Sequence, residues 1–392
     1  MSYSLQVVAS GQENVALFNS DTKGDALLID ISGNSKFYKN VVVSGTLRCT
    51  GVKLSTSIDS FLNTLPSDLY SYNTNTITTT GITTDQNKWF GGVLAQNGKI
   101  YGIPYNATSV LVIDPVAKTT STFPHNISGN YWGGVLGQNG KIYGIPSNAT
   151  KVLVIDPTIT TGASQINTTL SIVGWAGGVL AQNGNIYGIP DGATKVLFIN
   201  AAGTSVSTTT VSGTLSGGWV GGVLAPNGKI YGIPSSASTI LEITTTITGG
   251  SATTFGSVSG GWSGGVLALN GKIYGIPYSA TTILEIDPVN GTATTFGTTS
   301  GSFAGGVLAP NGKIYGIPRD ASTILEIDPV SRTATTFGSL DTSNDKWLGG
   351  VLAPNGKIYG IPRNASTILE IHPSVNPGIN NPWILEPYFN KF

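Results

Sequence analysis

A unit of about 43 residues recurs seven times along the chain, and this repetition limits the folds open to it. One copy reads Trp347-Leu-Gly-Gly-Val-Leu-Ala-Pro-Asn-Gly-Lys-Ile-Tyr-Gly-Ile-Pro362, followed by Ser366-Thr-Ile-Leu-Glu-Ile371. The first glycine of the pair falls at positions 91, 133, 177, 221, 264, 305 and 349. Residues repeated in every copy belong to the scaffold. Residues specific to function are expected where the copies differ.

Each copy contains an Asn-Gly pair between two short apolar runs. In the first copy Val93-Leu-Ala95 precedes Asn97-Gly98, and Lys99-Ile-Tyr101 follows it. This arrangement predicts a β-hairpin with a type I′ turn, in which both central residues have positive φ. Equivalent pairs in the other copies are Asn139-Gly140, Asn183-Gly184, Asn227-Gly228, Asn270-Gly271, Asn311-Gly312 and Asn355-Gly356.

The rest of the unit supplies two more strands. The second strand ends at a proline, which cannot donate to a β-ladder, and a short polar loop follows. A β-branched run such as Thr282-Ile-Leu-Glu-Ile286 then leads to a turn and to a Thr-rich run such as Thr292-Ala-Thr-Thr-Phe296. Four short antiparallel strands per unit match one propeller blade. We therefore predict an all-β, seven-bladed β-propeller of four-stranded blades with a small N-terminal β segment. An open β-solenoid is the alternative.

The ends of the repeat region indicate how the ring closes. The last copy has only its first three strands, through Ile371. Asp68-Leu-Tyr-Ser-Tyr72 and Thr76-Ile-Thr-Thr-Thr80 look like a third and a fourth strand ahead of the first copy. N-terminal strand material is therefore expected to complete the last blade, although one strand is surplus by this count.

The repeat resembles kelch-type propeller units in its Asn-Gly-Lys-Ile-Tyr, its apolar strand ending Ile-Asp-Pro and its Thr-rich strand. It departs from them where the second strand ends in Gly-Ile-Pro instead of a double glycine. The resemblance covers residues 68–373 and implies a fold only, because propellers carry unrelated functions.

Residues 1–67 lie outside the repeat. Short β runs such as Asp25-Ala-Leu-Leu-Ile-Asp30 and Val41-Val-Val-Ser-Gly-Thr-Leu-Arg-Cys-Thr-Gly51 are separated by glycine. The stretch from Ile31 to Leu47 is similar to stalk segments of bacteriophage and large-DNA-virus fibres, in which strands of three chains intertwine. Too few large apolar residues are present for a core of this size. We expect residues 1–67 to mediate attachment and self-association, and the apolar tail 374–392 to dock on another surface.

Composition excludes several classes of function. Charged residues make up 10% of the chain and the net charge is zero, so no basic field favours nucleic acid. Cys49 is the only cysteine, which excludes an intrachain disulfide and a Cys-based zinc site. No apolar run is long enough for a membrane span, and the first residues lack signal-peptide features. A surface of Ser, Thr, Asn and Gly is common in virion and extracellular proteins.

No catalytic, metal or cofactor site can be assembled from the residues. Glu242, Glu285, Glu326 and Glu370 occupy a mid-strand position that Val112, Val154 and Phe198 fill in the first three copies, which predicts a partly buried blade face. His125 and His372 lie at unrelated repeat positions. The aromatic residue before each Gly-Gly pair is expected to pack in the core. Six Asn-x-Ser/Thr sequons, at Asn106, Asn126, Asn148, Asn167, Asn290 and Asn364, are interpreted as products of the loop composition.

The copies differ most in the loop after each Ile-Pro. In a four-stranded blade this loop opens on the same ring face as the link to the next blade, and binding residues usually lie on variable loops of a rigid scaffold. Tyr and Arg are frequent contact residues. Drift on unconstrained loops is the alternative. The candidate binding residues are Tyr105, Asn106, Asn148, Asp191, Tyr278, Arg319, Asp320, Arg363 and Asn364.

These observations predict a non-enzymatic virion or extracellular fibre or appendage protein. The propeller would present contacts to other virion or appendage proteins or to surface glycans. A carbohydrate-binding propeller acting alone is the second reading, and a propeller hydrolase or lyase is the third.

Overall fold

The computed structural model describes residues 82, 85–125, 127–159, 163–208 and 215–373, and the backbone of four further strands. Contacts divide the chain into two units, Met1–Leu65 and Pro66–Phe392. In the first unit, Ala16–Leu17, Ala26–Ile29 and Ser35–Tyr38 form a three-stranded antiparallel sheet. The predicted β run at 41–51 and the tail 374–392 lie outside the described residues.

Within the second unit, the described residues form seven four-stranded antiparallel sheets, which confirms the predicted seven-bladed propeller. The first strands of blades 1 to 7 are Trp89–Leu94, Tyr131–Leu136, Trp175–Leu180, Trp219–Leu224, Trp262–Leu267, Phe303–Leu308 and Trp347–Leu352. The second strands are Ile100–Pro104, Ile142–Pro146, Ile186–Pro190, Ile230–Pro234, Ile273–Pro277, Ile314–Pro318 and Ile358–Pro362. The third strands are Ser109–Asp114, Leu153–Ile155, Leu197–Ile199, Ile240–Thr246, Ile283–Asp287, Ile324–Asp328 and Thr367–His372. The fourth strands of blades 1 to 6 are Thr119–Pro124, Ala163–Gln165, Val206–Thr208, Gly249–Phe255, Thr292–Phe296 and Thr333–Phe337.

The fourth strand of blade 7 comes from the N-terminal side of the repeats, as predicted. Asn73–Thr78 pairs antiparallel with Thr367–His372, in a register that runs from Thr367↔Thr78 to His372↔Asn73. One blade is therefore built from both ends of the ring. The other predicted strand, at 68–72, lies outside the described residues.

The Asn-Gly hairpins are present in all seven blades, but the predicted type I′ turn is wrong. Only the glycine has positive φ, as at Gly98 with φ of 76°. The Gly98 amide donates to the Ala95 carbonyl (3.0 Å), and the Ala95 amide donates to the Lys99 carbonyl (2.9 Å). The loop thus has three residues, a type I turn followed by a left-handed glycine, which is the next most common hairpin connection.

Asparagines of these turns also join neighbouring blades. Asn97 Nδ2 donates to the Tyr101 hydroxyl (3.0 Å) of its own blade and to the Pro157 carbonyl (3.3 Å) of blade 2. Asn355 makes the same bond from blade 7 to the Pro115 carbonyl (3.3 Å) of blade 1. The turn that the sequence marks as a local hairpin is therefore also a contact between blades.

Both glycines of the Gly-Gly pair are required by close packing near the ring axis. The first, such as Gly349, lies in a β-bulge with φ of 77°, and a Cβ there would lie 2.9 Å from the Gly91 Cα of the next blade. The second, such as Gly350, faces Ile317 of the preceding blade, whose Cδ1 would lie 2.5 Å from a Cβ. The predicted structural role of the pair, close approach of backbones, is confirmed.

The aromatic residue two positions before each Gly-Gly pair is buried, as expected of core packing. Trp89, Trp219 and Trp347 are each 1% exposed, and Tyr131, Trp175, Trp262 and Phe303 are fully buried. Trp89 Nε1 donates to the Ser109 carbonyl (2.8 Å) at the start of the third strand, and Trp347 makes the equivalent bond to Thr367 (2.8 Å). A buried indole N–H thereby keeps a partner.

The mid-strand glutamates belong to a repeated structural triad. In blade 5, Glu285 accepts hydrogen bonds from Lys272 Nζ (2.9 Å) and from the Tyr274 hydroxyl (3.2 Å). Blades 4, 6 and 7 repeat the triad around Glu242, Glu326 and Glu370. In blade 3 the cation and the acid are both missing, since Asn185 and Phe198 fill their positions. In blades 1 and 2, where Val112 and Val154 replace the acid, the lysine is retained and pairs instead with Asp114 (3.3 Å) or Asp156 (3.5 Å).

The buried tyrosines of these triads should make the stability of the ring depend on pH in the alkaline range. Burial, together with the negative charge of the neighbouring glutamate, raises the pKa of Tyr231 and of Tyr274 to about 12. The unfolded value is about 10. A raised folded pKa means that the contribution of the neutral hydroxyl is complete below pH 10 and is lost as the pH rises toward 12.

We therefore expect Tyr274→Phe to lower the free energy of unfolding by about 1–2 kcal/mol at pH 8, because Glu285 loses a donor. The difference between the two proteins should shrink by pH 11.5. Urea unfolding followed by fluorescence at both pH values measures it. A difference that stays constant with pH would contradict the raised pKa.

Candidate functional site at the mouth of the central channel

One face of the ring carries the loops between second and third strands together with the links between blades, as predicted. We call it the loop face. The Tyr105 amide donates to the Lys88 carbonyl (2.9 Å), and the Lys346 amide donates to the Arg319 carbonyl (2.9 Å). These bonds tie each loop to a link. The opposite face, which carries the Asn-Gly turns and the turns between third and fourth strands, is called the turn face.

A small depression lies at the axis, where the central channel meets the loop face. Its floor is the ring of first glycines, which includes Gly91, Gly221 and Gly349. Its wall includes residues from the position between the aromatic residue and the Gly-Gly pair. That position holds six residue types in the seven blades: Phe90, Trp132, Ala176, Val220, Ser263, Ala304 and Leu348 in blades 1 to 7.

Aromatic side chains gather on one side of this mouth. Phe90 and Tyr105 stack with ring centroids 3.8 Å apart, and Trp132 meets the Phe90 ring edge-on at 5.0 Å. Leu348 completes the cluster from blade 7. Trp132 and Tyr105 are half-buried, so part of each side chain faces solvent.

Two arginines extend the aromatic cluster around the ring. The Arg363 guanidinium lies over Phe90, 4.8 Å from the ring centroid, and Arg319 lies over Tyr278 at 4.5 Å. The Asp345 carboxylate lies between them and accepts from Arg319 Nε and from Arg363 Nη1 (2.6 Å). We call the residues Tyr278, Arg319, Asp345, Arg363, Phe90, Tyr105 and Trp132 the mouth arc. It runs from blade 5 through blades 6, 7 and 1 to blade 2.

The links hold the mouth arc in place at a conformational cost. Asn87 and Asp345 have left-handed backbones, with φ of 54° and 55°, although neither is glycine. Such residues cluster at functional sites because the surrounding structure must hold them there. In this position Asn87 Oδ1 accepts from Arg363 Nε (2.7 Å), so the link fixes the guanidinium plane. Burial lowers the pKa of Arg363, and the adjacent Asp345 opposes that shift.

A buried lysine follows each strained residue. Lys88 Nζ donates to the carbonyls of Asp85 (2.9 Å) and Ala365 (3.1 Å), and Lys346 Nζ donates to the Ser343 carbonyl (2.6 Å). Burial lowers the pKa of both lysines, and nearby aspartates partly offset it. The two ammonium groups cap loop carbonyls, so their role is to shape the links.

Four of the predicted binding residues act as braces between loops and links. Asn364 Oδ1 accepts from the Asn87 amide (2.7 Å), and Asp320 Oδ1 accepts from the Asp345 amide (2.7 Å). Asn148 Oδ1 accepts from the Asn130 amide (2.6 Å), and Asn106 Oδ1 accepts from Asn130 Nδ2 (2.8 Å). These side chains support the site more than they line it.

The other side of the loop face is built from smaller residues. Blade 4 has Ser235 at the loop position that holds Tyr105 or Arg363 in blades 1 and 7. Asp191 of blade 3 lies beside Gly218, where a Cβ would come within 2.6 Å of its Oδ1. Burial raises the pKa of Asp191, and its carboxylate has no hydrogen-bond or ion-pair partner among the residues described. Asp191 is therefore separate from the mouth arc.

The sequence predicted Tyr105, Tyr278, Arg319 and Arg363 as binding residues, and all four lie in the mouth arc. It did not predict Phe90 and Trp132, which also lie there. The missed residues lie inside the first strand, next to invariant scaffold. Their signal was the variation between copies at that position, which is as strong there as in the loops. Asn and Asp adopt left-handed backbones more often than most other non-glycine residues, but no repeated pattern distinguishes Asn87 and Asp345 from the other Asn and Asp residues of the chain.

The remaining chemically interesting residues lie elsewhere. His125 is buried, and its Nε2 bonds the Ala107 carbonyl (2.8 Å). His372 is buried beside Glu370, with 2.5 Å between Nε2 and Oε1. Across the described ranges, no group of three or more His, Cys, Asp or Glu side chains is arranged to hold a metal ion. That part of the chain also has no helix of the length and apolarity that a membrane span requires.

The fold has many solved counterparts at low sequence identity. Virginiamycin B lyase from Staphylococcus aureus, solved with quinupristin in a catalytically inactive histidine-to-alanine form, matches with a TM-score of 0.65 and 13% identity over 77% of this chain and 99% of that one. A chain of hydrazine synthase from Kuenenia stuttgartiensis matches with a TM-score of 0.59 and 13% identity over 76% of this chain and 99% of that one. YCF48, solved with a D1 peptide, matches with a TM-score of 0.58 and 12% identity over 78% of this chain and 98% of that one.

No family model and no curated protein matches the chain. The structural neighbours include a lyase, a synthase and a peptide-bound protein, so they share the propeller and not a function.

Proposed function

We propose that the protein is a non-enzymatic binding protein, a virion or extracellular fibre or appendage component that presents the loop face of its propeller to a protein or glycan. Residues 1–67 serve as its attachment and self-association segment. The mouth arc is the observation that carries the proposal. It concentrates Tyr, Trp and Arg, the side chains that dominate interface energies, on one side of an otherwise small-residue face.

The preorganisation of the arc supports binding. Arg319 and Arg363 are held by stacking and by a shared carboxylate, so little side-chain freedom is lost when a partner contacts them. The arginines of the arc are accompanied by Asp345 and Asp320, which balances the local charge. A neutral or weakly charged partner suits such a surface better than a polyanion.

Carbohydrate binding by the propeller alone is the second candidate. It is favoured by Trp132, whose half-buried ring lines the depression beside Tyr105. Aromatic faces next to planar polar groups are suited to the apolar face and hydroxyl rim of a sugar ring. A lyase or hydrolase reading has less support, because both histidines are buried in contacts of the scaffold.

The mass of the full chain in solution tests the main proposal. We expect light scattering after size exclusion to give an oligomer for the full chain and a monomer for a chain that starts at Pro66. Self-association through residues 1–67 would account for both results. A full chain that runs as a monomer would contradict the attachment role, and an oligomer from the shorter chain would move self-association to the propeller.

A glycan array separates the two candidates, and the repeats themselves supply safe substitutions. Trp132→Val and Arg363→Ser place in blades 2 and 7 the residues that blade 4 already carries, Val220 and Ser235. If the chain binds a glycan at the mouth arc, each change should weaken binding by about tenfold or more. Val173→Ala, in a link on the loop face outside the mouth arc and the depression, is the control. Absence of any glycan signal, or equal loss in the control, would remove the carbohydrate reading.

A further inference from the structure

The axial depression on the loop face admits only a small chemical group. Its floor is the ring of first glycines, and neighbours in that ring are in close backbone contact. A Cβ at Gly91 would lie 3.2 Å from the Gly133 Cα, and one at Gly177 would lie 3.0 Å from the Gly221 Cα. A seven-membered ring packed this closely leaves room for a group about the size of a methyl, and it excludes a sugar ring or a peptide backbone.

The wall of the depression offers one hydroxyl among apolar side chains. Val220 of blade 4 and Leu348 of blade 7 line it, together with Ser263 of blade 5. Ser263 is the only polar residue among the seven at this wall position. It is 7% exposed, and its hydroxyl has no hydrogen-bond partner within the described part of the chain. A nearly buried hydroxyl without a partner in the protein is suited to a hydrogen bond with a ligand.

Trp132 presents a free ring face at the rim of the depression. Tyr105 stacks on Phe90 with ring centroids 3.8 Å apart, and the Arg363 guanidinium lies 4.8 Å from the same Phe90 centroid. Two groups this close must cover opposite faces of Phe90. Trp132, whose plane is at 81° to Phe90, therefore receives the Phe90 edge on one face of its indole. The other face is turned toward the depression, which Trp132 lines.

The indole N–H of Trp132 is also available to a ligand. The tryptophans of the scaffold each donate to a backbone carbonyl, as seen for Trp89, Trp175, Trp219, Trp262 and Trp347. Trp132 Nε1 makes no such bond to any residue that the structure describes. The rim therefore offers a flat apolar face and a hydrogen-bond donor side by side, which suits a sugar ring with its apolar face and its hydroxyls.

We propose, on the basis of the carbohydrate-binding candidate function, that the mouth arc binds a neutral glycan ending in an N-acetylated hexosamine. The sugar ring stacks on Trp132. The methyl of its acetamido group enters the depression between Val220 and Leu348, and the acetamido oxygen accepts a hydrogen bond from the Ser263 hydroxyl. A single small substituent thereby meets both the apolar wall and its one polar group.

Other sugar substituents fit the site less well. A carboxylate, as in an acidic sugar, would need a free cation, but Arg319 and Arg363 already share the Asp345 carboxylate. A free amine would carry a positive charge into a depression that no carboxylate of the described residues lines. The methyl of a deoxy sugar would fill the depression but would leave the Ser263 hydroxyl without a partner.

Terminal sugars that differ at one carbon test this assignment. N-acetylglucosamine is compared with glucosamine and glucose, and N-acetylgalactosamine with galactosamine and galactose, each as the terminal sugar of the same glycan on an array and then by calorimetry. We expect the full chain to bind the N-acetylated member of at least one series about tenfold more tightly than the other two members. Equal affinity within both series would overturn the proposal.

Substitutions copied from other blades locate the contact. Ser263→Ala, which places there the residue of blades 3 and 6, should reduce the preference for the N-acetylated sugar about fivefold. Ser263→Leu, which places there the residue of blade 7, should abolish the preference by filling the depression. Val173→Ala, on the loop face outside the mouth arc, should leave it unchanged.

The outcomes separate this proposal from the carbohydrate candidate itself. A preference that survives Ser263→Leu would place the acetamido group elsewhere and overturn the proposal. Glycan binding that lacks the preference but is lost in Trp132→Val would overturn the proposal and keep the carbohydrate candidate. The absence of any glycan binding would remove both.

Discussion

Gly349→Ala is expected to destabilise the ring more than Gly356→Ala, the same substitution at the other left-handed glycine of blade 7. At φ of 77° an alanine costs about 1–2 kcal/mol from backbone strain alone. The added Cβ would also lie 2.9 Å from the Gly91 Cα, a backbone atom that cannot move without shifting blade 1. Overpacking of this kind adds about 1–3 kcal/mol. The free energy of unfolding should therefore fall by about 3 kcal/mol or more.

Gly356→Ala is the matched control, because the two glycines differ in surroundings and hardly in backbone. Gly356 has φ of 78°, and a Cβ there would meet nothing within 4 Å. Its substitution should cost only the backbone term, about 1–2 kcal/mol. Urea unfolding of the two variants and the parent chain measures both values. Equal destabilisation would show that crowding at the axis contributes nothing.

Removal of the closing strand should have the second large effect. A chain starting at Gly81 lacks Asn73–Thr78, so the third strand of blade 7 becomes an unpaired edge and buried residues such as Ile368 and Leu369 gain solvent exposure. We expect its melting temperature to fall by about 10 °C or more relative to a chain starting at Pro66.

The missing strand can be supplied to the shortened chain as a separate peptide. A peptide covering residues 66–80 should restore stability to the chain that starts at Gly81, because the strand needs only to pair with Thr367–His372. The chain starting at Pro66 should melt as the propeller of the full chain does. If the two shortened chains melted together, the observed pairing would not contribute to closure.

The sequence predicted the scaffold well because the fold is built from local signals repeated seven times. The Asn-Gly pairs, the terminal prolines and the Gly-Gly pairs each mark a feature within a few residues of themselves. The turn type was wrong because Gln96 reads as the end of a strand although it is the first residue of a three-residue loop. Loop length, and not the dipeptide, decides which turn forms.

Contacts between blades were beyond the reach of local signals. Asn355 bonds the Pro115 carbonyl from a position 240 residues away, and no pattern within one repeat encodes that partner. The candidate site was predicted in part, because Arg319 and Arg363 occupy a loop position that differs between copies, and such positions were taken as candidate binding positions. Trp132 varies equally but sits inside a strand, and Asp345 is positioned by tertiary contacts that hold a left-handed backbone.

The way the ring closes also sets how it responds to tension. Asn73 and His372 are paired at the same end of the closing strand pair, so a pull that separates the two chain ends opens this pair one hydrogen bond at a time, like a zipper. A pull between Asn73 and a contact on the loop face instead acts along the strand and loads all six residue pairs together, in shear. A head held through its N-terminal side and loaded through its mouth is therefore pulled in the direction in which its closure resists best.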